Sequence, residues 1–185
     1  TNGHKSSRRF KEEKKLRELC KITTGKLDAN AMVKDGQYRF YTCAKDYYQI
    51  DRYKFDTDAL IISGNGANVG YVHHFNGKFN AYQRTYVLFD FEDSIYYLRH
   101  FLDRHLYKRI FREKKDGATP YIVMSTLSDM IISLPTLDEQ KKIANFLTSL
   151  DIKIESVSIQ IENTKVFKKG LFLRFFLNNI ILRRW

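Results

Sequence analysis

The spacing of apolar and polar positions divides the chain into a strand-forming middle, one short helix and one long helix. Between residues 37 and 55, "QYRFYTCAKDYYQIDRYKF" sets Tyr, Phe and Thr among charged residues, a composition that favours extended chain over helix. "ALIIS" at 59–63 reads as a buried strand, "YVHHF" at 71–75 as a second and "TYVLF" at 85–89 as a third. Asn76-Gly77, between "VHHF" and "KFNAY", predicts a hairpin, because a type I′ turn needs positive φ at both central residues. Upstream, Leu16 to Ile22 forms a short amphipathic opening before a turn at Gly25.

From Ser94 the period changes. Ser94 can cap a helix in which Ile95, Leu98, Leu102 and Leu106 recur at helical spacing until Gly117 ends it. Arg104, Lys108, Arg112 and Lys115 make one stripe on the face opposite that apolar row. "YIVMSTLSDMIISLP" then returns to mostly apolar and β-branched residues as far as Pro135. These patterns predict one mixed α/β domain over residues 16–134 with a β-rich middle, preceded by a polar, basic tail over residues 1–15.

The clearest helix start lies in "LPTLDEQKKIANFLTSLDIKI". Thr136 and Glu139 stand in capping-box relation, the threonine oxygen accepting from the N3 amide and the glutamate reaching back to the cap amide. Asp138 and Glu139 also put negative charge at the positive end of the helix dipole, each contributing about 0.3–1 kcal/mol. Ile143, Leu147, Leu150, Ile154, Val157 and Ile161 then alternate in steps of four and three, and the register runs through Thr164 and Lys168 to Leu171 and Phe175. Between Pro135 and Gly170 there is no glycine, and no proline follows Pro135. A helix of coiled-coil type is predicted over residues 135–177, about 60 Å long, followed by a tail over 178–185. Such a seam calls for another helix, and this chain has no second one of matching length; folding back on its own domain is the alternative. The fold class is α+β.

Charge narrows the choice of partner. Lys and Arg exceed Asp and Glu by 32 to 21, a net +11, and residues 1–15 alone hold six basic against two acidic side chains. An excess of this size points to nucleic acid or another anionic surface. Two cysteines, Cys20 and Cys43, form neither a CxxC nor a zinc-spaced cluster, so a disulfide framework and a structural metal are not expected and a reduced cytoplasmic setting fits. The apolar run "LFLRFFLNNIIL" is broken by Arg174, Asn178 and Asn179, too short for a membrane span.

No catalytic constellation emerges. "SGNGANVGYV" leads into a strand, whereas a dinucleotide loop must open a helix. Glu113-Lys114-Lys115 lacks the Pro-Asp of a nuclease signature, and Thr119-Pro120-Tyr121 lacks the second proline of an adenine-methyltransferase pocket. His73 and His74 point to opposite faces of a strand and cannot easily share a metal. What remains is the basic stripe and a supply of amides and tyrosines in loops. Lysine and arginine would position a duplex by its phosphates, while Asn65, Asn68, Tyr82, Gln83 and Arg84 would reach base edges. Lys26, Lys114, Thr119 and Tyr121 complete the candidate DNA contacts. A solvated face and a simple turn are the competing readings of the stripe and of the Asn65–Asn68 loop.

"LPTLDEQKKIANFLTSLDIKIESVSIQIENTKVFKKGLF" resembles the conserved segment of the specificity subunits of type I restriction-modification enzymes. In that family a recognition domain ends in a Leu-Pro-Pro-Leu-x-Glu-Gln-x-x-Ile phrase, here Leu134, Pro135, Leu137, Glu139, Gln140 and Ile143. A Leu-Asp-x-x-Ile phrase follows, here Leu150, Asp151 and Ile154, and Lys168 to Leu171 match its lysine-rich close. Thr136 replaces the second proline. Leu16, Glu18, Leu19, Gly25 and Lys26 resemble more loosely the entry into the recognition domain. The resemblance implies a non-catalytic DNA-binding subunit, with one target recognition domain and one spacer helix where a complete subunit has two of each. It implies a second copy or another half as helix partner, docking of modification and restriction subunits, and S-adenosylmethionine and ATP on those subunits only. An interaction protein or decoy that binds modification subunits without reading DNA is the alternative.

Overall fold

The structure, a computed structural model, describes residues 12–113 and 119–182, with side chains to residue 176. The chain divides into two compact units, Thr1–Ala144 and Asn145–Trp185.

Six strands form the main sheet of the first unit: β2 (Lys21–Thr24), β3 (Tyr38–Tyr41), β4 (Tyr48–Ile50), β5 (Phe55–Ser63), β6 (Val72–Ala81) and β7 (Thr85–Phe89), in the order β2-β7-β5-β6-β3-β4. All neighbours are antiparallel except β3 and β6. The strands expected at 59–63, 71–75 and 85–89 lie within β5, β6 and β7 but for Tyr71, and the aromatic stretch supplies β3 and β4.

The predicted hairpin at Asn76-Gly77 is not formed: β6 runs through both residues, which pair with Asp58 and Thr57 of β5. Only Gly77 takes a positive φ, +133°. Two hairpin arms cannot both pair with β5 on the same side, so pairing with β5 along most of β6 overrides the local turn preference.

The order of strands forces a strong coil on the sheet. β6 and β7 flank β5 and run parallel, yet Tyr82, Gln83 and Arg84 alone connect them. Those few residues reach at most about 14 Å, whereas β5 with its nine residues is about 30 Å long. β6 must therefore curl across the sheet to deliver Ala81 near Thr85.

Alternation along the strands builds two cores. Leu60, Ile62, Tyr86 and Leu88 face α1 (Ile95–Glu113), whose Leu98, Leu102, Leu106 and Ile110 are buried against them. Ala59, Ile61, Phe79, Ala81 and Val87 face the other way and pack with Tyr41 and Phe55. Rings close this second core: Phe55 stacks on Phe79 at 5.1 Å, and Tyr41 meets Phe79 edge-on at 5.7 Å.

The stretch 121–135 holds a short helix, α2 (Met124–Ser128), and a strand, β8 (Ile131–Leu134). β8 pairs with β1 (Glu12–Lys15), so the last four residues of the expected tail form a strand, and the rest of that tail lies outside the described residues. None of these four residues is buried, while Ile132 and Leu134 of β8 join the core. Between β1 and β2 the amphipathic opening makes a 3₁₀ turn, Leu16–Glu18, and this segment buries Leu16, Leu19 and Cys20. Burial pushes the Cys20 thiol up to about 12.

α3 (Leu137–Leu182) contains 46 residues, about 69 Å of helix. It runs into the expected tail to Leu182, because Gly170 alone does not stop a helix and Leu, Phe and Ile follow it. Thr136 Oγ1 accepts from the Glu139 amide at 3.4 Å, and its carbonyl accepts from the Gln140 amide at 2.9 Å. Gln140 and Ala144 are buried, Ile143 and Leu147 half-buried, and every residue from 149 to 176 is exposed.

Candidate nucleic-acid interface

The loops that carry the predicted base-reading residues meet around the β6–β7 connector. Each connector residue is tied to another segment: Tyr82 N–H donates to Tyr41 O at 2.9 Å, Gln83 N–H to Leu27 O at 2.9 Å, and Arg84 O accepts from Gly64 N–H at 2.9 Å. Thr85 N–H donates back to Tyr82 O, closing the turn, and Thr85 O accepts from Gly25 N–H at 3.1 Å. Gly25 and Gly64 make these approaches possible. A Cβ on Gly25 would lie 2.0 Å from Ala81 O, and one on Gly64 2.2 Å from Arg84 O.

Gln83 is exposed and its Nε2 donates to Asp28 Oδ1 at 3.0 Å. Arg84 is exposed, and its guanidinium forms no ion pair among the described residues. Asn65 forms an isolated antiparallel bridge with Tyr121, and Ile122 N–H donates to Gly64 O at 2.8 Å. This brings the exposed Tyr121 beside the connector, with Thr119 two residues before it in the same segment. A cleft of about 110 Å³ lies between Gly64, Gln83, Arg84, Tyr86, Tyr121 and Ile122. Asn68 Nδ2 donates to Cys43 O at 3.1 Å, which ties the glycine loop to the segment after β3.

Lys26 is exposed next to Leu27, which bridges Tyr82. Lys54, which no motif singles out, lies on the neighbouring edge of β6, its amide donating to Phe79 O at 3.0 Å and its ammonium over the Phe55 ring. Desolvation lowers its pKa, and the nearby Lys26 charge lowers it further. No sequence pattern links residues 26 and 54; the curl of β6 brings them together.

The α1 stripe is a separate surface. Arg104, Lys108 and Arg112 are exposed on the face opposite Leu98, Leu102, Leu106 and Ile110, while Lys114, Lys115 and the expected stop at Gly117 lie outside the described residues. Desolvation, with the Arg104 and Lys108 charges, lowers the pKa of the neighbouring His105. The helix end is packed on the glycine loop, because a Cβ on Gly70 (φ +82°) would come within 2.8 Å of Ile110 Cδ1. Among the described residues no group of three or more His, Cys, Asp or Glu could hold a metal, and no helix is long and apolar enough to cross a membrane.

On α3 the predicted seam residues Leu150, Ile154, Val157, Ile161, Leu171 and Phe175 are exposed. A second row lies outside the predicted seam: Ile152, Ile159, Val166 and Leu173 recur every seven residues and are 52–66% exposed. At 100° per residue they lie about 160° around the helix from the seam. A test of each heptad position in turn reveals them in the sequence.

The coiled sheet, whose connector and loops gather amides, tyrosines and an arginine without an ion pair among the described residues, is followed by a long helix, and this arrangement belongs to a known family. Residues 10–164 match the family described as "Type I restriction modification DNA specificity domain", and the chain belongs to it. Over 174 residues it is 38% identical to the type I restriction enzyme EcoDI specificity subunit of Escherichia coli, a match covering 92% of this chain and 38% of that subunit. Solved structures share the fold. The S subunit of a type I restriction-modification system from M. genitalium has a TM-score of 0.67 at 18% identity, over 86% of this chain and 44% of that one. The HsdS subunit from Thermoanaerobacter tengcongensis has a TM-score of 0.59 at 16% identity, over 84% and 41%. The chain thus spans less than half the length of these relatives.

Proposed function

We propose that this chain is a half-length specificity subunit or one half of a full one. It reads one half of a bipartite DNA target with the loops around Tyr82–Arg84 and contributes no catalysis of its own. The observation that carries this reading is the gathering, in a member of a DNA-specificity family, of Lys26, Gln83, Arg84 and Tyr121 at one end of a coiled sheet in a chain of net charge +11. Phosphate contacts would come from Lys26, Lys54 and the α1 stripe, base-edge contacts from the connector.

The two apolar rows of α3 support two kinds of partner. The Leu150, Ile154, Val157 and Ile161 seam pairs with the same helix of a second copy or another specificity half, and the Ile152, Ile159, Val166 and Leu173 row receives a modification subunit. A restriction subunit joins through the modification subunits. S-adenosylmethionine and ATP reside on those partners, and the assembly works in the cytoplasm. Two copies related by a two-fold axis require an interrupted palindrome as target.

The test reconstitutes the chain with its modification subunit and maps the methylated positions. Two methylated half-sites separated by a fixed spacer are expected. A single uninterrupted site would overturn the paired arrangement, and capture of the modification subunit without any sequence preference would overturn the DNA-reading role.

A further inference from the structure

Arg39, Arg52, Arg84, Arg104 and Arg112 of the first unit form no ion pair among the described residues, and of these Arg84 alone lies in the connector between β6 and β7. Arg17 is paired with Asp129 at 2.7 Å, Arg109 with Glu113 at 2.9 Å and Arg99 with Asp103 at 3.8 Å. Arg39 is clasped between the rings of Tyr47 and Phe75, 4.2 and 4.4 Å from their centroids. These guanidinium groups are occupied in holding the fold. That of Arg84 forms no ion pair among the described residues, although its backbone is among the most firmly held in the sheet end. Its carbonyl accepts both Gly64 N–H at 2.9 Å and Cys43 Sγ–H at 3.4 Å, and the residues on either side are pinned to Leu27, Tyr82 and Gly25.

A rigid backbone under a free planar fork suits a base edge better than a phosphate. Phosphate contacts tolerate a long, mobile side chain, since a point charge is sufficient. Base discrimination demands placement to within about 0.5 Å, and Arg meets the O6 and N7 acceptors of guanine with two parallel N–H groups. The neighbouring amides each already hold one partner within the fold, Gln83 Nε2 with Asp28 and Asn68 Nδ2 with Cys43. Resting on the DNA-reading role proposed above, we infer that Arg84 is a specificity-determining residue of this domain and reads a guanine in the major groove.

The experiment is selection from a random duplex pool with the full chain bound to its modification subunit, for the parent, Arg84→Ala and Arg84→Lys, with affinities measured across a salt series. The parent should demand guanine at one position of each half-site. Arg84→Ala should lose that demand alone, with roughly 5- to 150-fold weaker binding to the guanine site and little change for duplexes carrying another base there. Arg84→Lys should retain only part of the preference. An equal loss on all duplexes, with the salt slope reduced by about one, would make Arg84 a phosphate contact and overturn the inference. Unchanged selection by Arg84→Ala would overturn it as well. A parent that selects no sequence would remove the DNA-reading role itself. Because the side chain is exposed, thermal unfolding should be unchanged; Lys26→Gln, expected to weaken all duplexes alike, gives the contrasting phosphate pattern.

Discussion

Gln140, in the first turn of α3, donates from Nε2 to Asp93 Oδ1 at 2.8 Å, just ahead of α1. Its Oε1 accepts from the Ser94 amide at 3.2 Å, and Nε2 also donates to Pro135 O at 3.1 Å. One buried carboxamide, on a residue only 1% exposed, thus joins the start of α1 to the start of α3. Gln140→Leu fills the space but leaves the Asp93 carboxylate and the Ser94 amide without this partner. It should destabilise the first unit by about 1–3 kcal/mol, read from denaturant midpoints; a midpoint equal to the parent's would mean water replaces the amide at no cost.

The connector depends on two missing side chains. Gly25→Ala and Gly64→Ala each place a methyl group about 2 Å from a backbone carbonyl. Each should cost more than about 2 kcal/mol, as strain at a site that cannot relax does. Gly66→Ala is the comparison, because its Cβ would meet nothing within 4 Å and only its positive φ of +79° opposes the change; its loss should be about 1 kcal/mol. Chemical denaturation of the three variants side by side measures the difference, and equal losses would deny the close approach its role.

If the α1 stripe meets DNA phosphates, Arg104→Ala and Lys108→Ala should each weaken binding to every duplex and reduce the slope of log K against log salt by about one. Fluorescence anisotropy over a salt series reads this directly. An unaltered slope would identify the stripe as a solvated face.

The two rows of α3 should separate by mutation. Ile154→Glu should abolish self-association, followed by light scattering at tens of micromolar, whereas Ile159→Glu should leave it intact and prevent co-purification with the modification subunit. A parent chain that is strictly monomeric would remove the seam from the proposal.

His73 gives the first unit a pH dependence. Its half-buried ring lies between Tyr41 and Tyr71, and desolvation lowers its pKa below the usual 6.5, with the bond to Ala44 O opposing the shift. The unfolded chain therefore takes up a proton before the folded one does. The His73 contribution to stability should be constant above pH 6.5 and fall as pH drops from there through the folded pKa. His105, also lowered, contributes in the same direction. His73→Gln should flatten the decline of urea midpoints below that pH; a decline as steep as the parent's would assign it elsewhere.

Local pattern made part of this visible in the sequence. The β5 and β7 cores, the Leu98–Leu106 row and the Thr136 start of α3 all arise from side chains within a few residues of one another, which periodicity records. Asn76-Gly77 misled because turn chemistry is local, whereas the strand that replaces it is held by β5 residues 18 to 20 positions upstream. Glu12–Lys15 carried no strand pattern at all: four charged residues become a strand because β8, more than 110 residues later, offers them an edge.

The sequence by itself determined the α+β class, the position and heptad register of the long helix, and the family, since each depends on residue types in fixed succession. Tertiary structure alone decided which loops share a surface. The short connector curls β6 across the sheet, and that curl sets Arg84 against Gly64, Lys26 near Lys54 and Tyr121 against Asn65. Contacts between residues so far apart in the chain depend on the path of the backbone, which no local spacing encodes.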